Sequence, residues 1–153
     1  RQMLMDEAGR RALPNVVFGP PQPKDRMPAV WSLCDVALIH LKDSPAFAEV
    51  IPSKMFEAMG MGLPLLLVAP RGEASHIVEA DRAGLFVPAA DPDGLAEAAR
   101  RLADDAEERR GLAAASLAAA AAHTRQRQAE LFIRVLELVK AGRGPAEAGT
   151  VEG

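Results

Sequence analysis

The sequence predicts an α/β fold: a parallel sheet with helices on both faces, followed by two C-terminal helices. Short apolar runs alternate with helical segments from Asn15 to Asp104, and the run from Leu63 to Pro70 lacks the polar alternation of a half-exposed sheet. Glycines and an Asp-Pro pair stand where helices should start or stop. Strict alternation of this kind implies right-handed βαβ units.

Residues Arg1 to Ala12 mix apolar and charged side chains as the end of a helix does, and Leu13-Pro14-Asn15 breaks it before a short strand over Val16 to Phe18. In Gly19-Pro20-Pro21-Gln22-Pro23 three prolines remove three donors, so no ladder continues there. A short helix opens near Asp25 and runs through Leu33. Val36 to Leu41 is apolar except for His40 and reads as a strand covered on both faces, with Lys42 to Val50 the loop after it. A helix from Pro52 to Met61 begins on a proline whose missing N–H has no partner in a first turn, and it stops at Gly62, which tolerates positive φ. Leu65 to Ala69 is the next buried strand; Gly72 opens a helix through Asp81, and Leu85 to Val87 is a short strand. Asp91-Pro92 supplies a cap and a first-turn proline for a helix ending near Ala103. Val17, Leu38, Leu66 and Leu67 are expected to be buried in neighbouring parallel strands.

Beyond Asp104 the segments Asp105 to Ala122 and Arg125 to Lys140 read as two helices. The second carries Leu131, Val135 and Leu138 at helical spacing with Phe132, Leu136 and Val139 beside them, and is expected to be packed. From Ala141 the glycine-rich chain is too poor in apolar residues to order itself, which divides the sequence into a domain over 1–140 and a disordered tail over 141–153.

A chain of 153 residues is about one domain, able to bury roughly 70% of its unfolded surface. With 49% apolar residues, 25% charged and a net charge of −3, it is not built to bind a nucleic acid. Cys34, the one cysteine, reads as a small core residue in a reducing environment. The longest apolar run is shorter than a bilayer requires and no signal peptide is visible, so a cytoplasmic location is expected. The chain opens on Arg inside a helical segment, as a piece of a larger protein would. His40, His76 and His123 show no metal-ligand spacing, and no metal site is expected.

The chemistry concentrates between Glu49 and Gly62. Two glutamates, Glu49 and Glu57, stand with seven residues between them around a helix start. Ser53 and Lys54 present free backbone donors at the positive end of that helix, which makes an anion site. Glu57 lies one turn further on, on the face looking back toward that end, so a phosphate and a polyhydroxylated group could be held side by side.

With Asn15-Val16-Val17-Phe18-Gly19, Asp35 to Ile39, Pro52-Ser53-Lys54-Met55-Phe56-Glu57-Ala58-Met59, Gly62-Leu63-Pro64, and Ala83 to Pro88 before Asp91-Pro92, the chain resembles the C-terminal, nucleotide-sugar-binding domain of retaining GT-B glycosyltransferases with a glutamate pair. The Ile-Pro-Ser-Lys-Met-Phe-Glu version is most similar to the subgroup that builds bacterial surface polysaccharides and lipid-linked sugars. The resemblance implies a Rossmann-like sheet and transfer of a sugar from a nucleotide diphosphate donor to an acceptor hydroxyl with retention, without a metal or other cofactor. It assigns the ribose hydroxyls to Glu57 and the donor sugar, or charge developing on it, to Glu49, with Ile51, Ser53 and Lys54 among the donor-binding residues. Pro52 cannot donate, so the amides of Ser53 and Lys54 take the diphosphate, and a plain helix cap stays an equal reading for Ser53. In Arg71-Gly72-Glu73-Ala74, Gly72 and Glu73 border the same site, Glu73 either facing it or capping its own helix. The resemblance also implies that Gly19 and Gln22 border the nucleobase.

The resemblance also implies a glycan or lipid-linked acceptor held by an N-terminal domain, through which the protein could touch a membrane peripherally. The chain then supplies the donor-binding half and is inactive by itself. Two rivals stand beside this reading: a sugar-nucleotide epimerase of the same architecture, distinguished by ring isomerisation without transfer, and a non-catalytic partner domain.

Overall fold

The computed structural model describes residues 1–142, so the tail expected over 141–153 lies almost wholly outside the described residues. Its helices and strands run α1 Gln2–Arg10, α2 Met27–Trp31, β1 Ala37–His40, α3 Ser53–Gly60, β2 Leu65–Ala69, α4 Glu73–Ala80, β3 Gly84–Pro88, α5 Pro92–Asp104, α6 Ala106–Ala120 and α7 Arg125–Lys140, with single 3-10 turns at Lys24–Arg26, Pro45–Phe47 and Ala121–His123. The three strands form a parallel sheet in the order β1-β2-β3, with Leu38 beside Leu66 and Leu66 beside Leu85. The α/β assignment holds.

Each face of the sheet has its own core. On one, Ala37, Ile39, Leu65, Leu67 and Ala69 pack with Met55, Ala58 and Met59 of α3 and Ala74 and Val78 of α4. On the other, Leu66, Val68 and Val87 meet Leu102 of α5, with Leu112 of α6 beside them. All of β2 is buried, because it is flanked by strands and covered on both faces. Gly84 is required by the sheet itself, since a Cβ there would come within 1.9 Å of the Leu65 carbonyl oxygen.

Caps fix the helix boundaries that the sequence marks. Asp91 accepts from the Gly94 amide at 2.9 Å, and Pro92 follows in the first turn. Gly62 takes φ +69° just past Met61, the C-cap residue of α3. Asp105 caps α6, Arg101 of α5 pairs with Glu108 of α6 at 2.6 Å, and buried Ser116 donates to the Leu63 carbonyl at 2.8 Å. These bonds hold α6 across the ends of α3 and α5.

Three expectations need correction. Val16 to Phe18 forms no strand, and Val17 is 87% exposed. Three residues do not order as a strand without a neighbouring strand to pair with, and none pairs with them among the described residues. Leu38 is 54% exposed rather than buried, because β1 alternates between the sheet's two faces and α5, which crosses β2 and β3, does not cover it. Nor is α7 packed along its length: Leu138 is its one buried residue, while Phe132, Ile133, Leu136 and Val139 are exposed. Its apolar residues are spread around the helix and face no described element along most of it.

Candidate functional site

Helix α3 leaves the end of β1 through an irregular loop. Residues Pro45–Phe47 make one 3-10 turn, and the Ala48 carbonyl then accepts from the Glu73 amide at 3.3 Å. A Cβ on Gly72 would lie 2.0 Å from the Ala48 carbonyl oxygen, so glycine is what lets this loop settle on the start of α4. Gly72 therefore holds the Glu49 loop in place by close backbone approach. Ser75, fully buried, closes the turn by accepting from the Gly72 amide at 3.0 Å and donating to its carbonyl at 2.8 Å.

A cleft of about 980 Å³ opens beside these helix starts. Its walls include Ile51, Ser53, Phe56 and Glu57 on one side, Glu73 and Ile77 on a second, and His123, Thr124, Arg125 and Gln128 on a third. Ser53 is the first residue of α3, behind the N-cap Pro52, and makes no capping bond. Ser53 lines the cleft, and the N-cap position belongs to Pro52. The start of α4 is closed by Ser75, and Glu73, exposed, lines the cleft rather than capping its helix.

Glu57 also lines a second hollow of about 470 Å³ with Lys24, Asp25, Met27, Pro28, Trp31 and Met61. It stands on the edge between a cleft that gathers the starts of α3, α4 and α7 and a hollow whose wall includes an indole, two methionines and a proline. The buried indole nitrogen of Trp31 has no hydrogen-bond partner among the described residues. An aromatic plane with soft thioethers suits a flat heterocycle, and a carboxylate at the mouth accepts from hydroxyls.

Of the residues singled out in the sequence, Ile51, Ser53, Glu57 and Glu73 come together in the larger cleft. Glu49 and Lys54 are exposed near its rim in sequence, yet neither lines either hollow. Gly19 and Gln22 line neither as well. The Gly19 carbonyl accepts from Arg1 at 2.8 Å, and the Gln22 amide donates to the Pro20 carbonyl at 3.3 Å. The proline-rich loop spends its polar groups on itself and on the start of α1, so the hollow beyond it is walled by Met27, Pro28 and Trp31 instead. Phe56, Trp31, Met61, His123 and Arg125 were not singled out as site residues. Trp31, the single tryptophan, was the available signal.

The cation on the cleft wall shared with Glu57 and Glu73 is Arg125, placed directly after Thr124, whose hydroxyl caps α7 by accepting from the Arg127 amide at 3.1 Å. Arg71, by contrast, is held away by Glu79 at 2.9 Å and lies over the Phe86 ring at 4.6 Å. No group of three or more metal-ligating side chains occurs among the described residues, and none of the described helices is long and apolar enough to cross a membrane.

No curated protein matches the chain. The family of glycosyl transferases group 1 matches it over residues 2–105, a span that takes in all three strands and both glutamates. With two thirds of its length matched and the α/β architecture in place, the chain belongs to the group 1 glycosyl transferases.

Proposed function

We propose that the chain binds the donor of a retaining sugar transfer, a nucleotide diphosphate sugar, for glycan or lipid-linked sugar assembly. One observation carries the reading: Glu57 borders both hollows, so a ligand running from one to the other passes its carboxylate. The base enters the hollow of Met27, Trp31 and Met61, and the ribose hydroxyls donate to Glu57. The diphosphate lies against the start of α3, where the amides of Ser53 and Lys54 meet it with the helix dipole behind them. Helix-terminus donors and basic side chains, rather than a metal, take the charge of the leaving diphosphate. Glu49, on the loop seated at the start of α4, acts on the sugar, and the acceptor hydroxyl comes from a partner domain.

Titrating UDP and GDP while recording Trp31 emission tests the reading, because Trp31 is the single tryptophan. Either nucleotide should change the emission, whereas inorganic pyrophosphate and ribose 5-phosphate should not. A response to pyrophosphate equal to that of both nucleotides would sink the base assignment. Absence of calorimetric binding by either nucleotide would sink donor binding altogether.

A further inference from the structure

The start of α7 lines part of the Glu57 cleft, and α7 is poorly supported. One of its residues, Leu138, is buried, and within the described chain its main neighbour is the turn Ala121–His123 just before it. That turn is anchored by a single side chain. Nε2 of His123 lies 2.6 Å from Oδ2 of Asp81, the residue after α4, across 42 positions of sequence. A carboxylate accepts only, so His123 donates through Nε2. The same imidazole stacks on the Phe56 ring at 5.0 Å between centroids and 27° between planes. Both His123 and Asp81 are partly shielded, their side chains 18% and 26% exposed, which strengthens the bond against competition from water.

We propose that His123 is a positioning residue of the cleft: by bonding to Asp81 and stacking on Phe56, it clamps the start of α7 against α3 and α4 and so sets Arg125 in the cleft that Glu57 lines. The clamp touches both sides of the site. Phe56 directly precedes Glu57, so the stack bears on the turn of α3 that carries the carboxylate, while Thr124 and Arg125 directly follow His123 and line the same cleft. Arg125 has no ion pair among the described residues, and its charge is therefore left for a diphosphate in the cleft. The inference rests on the donor-binding reading above.

The test combines hydrogen exchange with calorimetric binding of UDP and GDP to the full chain and its variants. His123→Ala should speed amide exchange over residues 124–130 while leaving β2 protected, and should weaken the bound nucleotide roughly three- to tenfold. His123→Phe, which keeps a stacking ring and loses the bond, and Asp81→Asn, which keeps a weaker acceptor, should each fall between parent and His123→Ala. Arg125→Gln should weaken the nucleotide without speeding exchange. Exchange over 124–130 unchanged in His123→Ala would overturn the clamp, whatever the nucleotide does. Faster exchange with undiminished affinity would overturn its role in the site. Failure of UDP and GDP to bind the parent would instead count against the donor-binding reading.

Discussion

Glu57 is an exposed glutamate on a short helix, and its chemistry comes from its surroundings, an apolar hollow on one side and the starts of two helices on the other. Removing a charged acceptor from ligand hydroxyls costs about 1.5–3 kcal/mol, so Glu57→Gln should lower nucleoside diphosphate affinity by roughly ten- to a hundredfold. Glu49→Gln should leave that affinity nearly unchanged, because Glu49 lines neither hollow and is assigned to the sugar. Calorimetric titration of UDP and GDP into both variants separates the two roles. Equal losses would mean that the pair is misassigned. At this scale Glu57, Ser53 and Glu73, which the sequence places near helix starts, line one cleft. The sequence does not show Trp31, His123 or Arg125, whose contacts depend on segments tens of residues away.

Elements enter the site through two tight contacts. Gly72→Ala would drive a Cβ to 2.0 Å from the Ala48 carbonyl oxygen, so the Glu49 loop must lift from the start of α4. The variant should lose about 1–3 kcal/mol of stability in urea unfolding, with exchange quickest over residues 45–51. An unchanged midpoint would show that the loop is not seated there. Ser116 ties α6 to the end of α3, and Ser116→Ala leaves the Leu63 carbonyl without that donor. A loss of about 1 kcal/mol is expected by the same measurement, and the cleft wall contributed by Leu117 and Ala120 should loosen with it. Gly72 was legible as a helix opener, since glycine before an apolar period signals a boundary. That it is also the seat of a distant loop requires the backbone of Ala48 to be placed.

At the scale of the whole molecule, apolar side chains remain uncovered in several regions of the described residues, Met3 and Leu4 of α1 and Val17 after it among them. Leu38 and Leu33 are exposed around β1, an edge strand among the described residues, and Phe132, Leu136 and Val139 line an open face of α7. Uncovered edges and apolar faces of this size promote association. The chain should self-associate with rising concentration in sedimentation velocity, and Phe132→Glu with Leu136→Lys should shift it toward monomer without changing the urea midpoint. A parent that stays monomeric across the concentration range would contradict this.

The sequence by itself determined the order of elements from Lys24 onward, the parallel sheet, the burial of β2 and the helix start that carries Ser53 and Glu57. Each follows from a local signal: a run of apolar residues, a proline in a first turn, a glycine at positive φ, an aspartate three residues before the amide it caps. Tertiary structure decided the rest. Leu38 and Leu66 sit in similar apolar runs, yet one is exposed and the other buried, because α5 covers β2 and β3 and not β1. The helix Arg125–Lys140 forms from its own propensity, but whether a partner covers its apolar residues is a property of the assembled surface, not of their spacing. Glu57 gained its two neighbouring hollows, and His123 its bond to Asp81, only when segments far apart in the chain were brought together, and no short-range pattern encodes such a meeting.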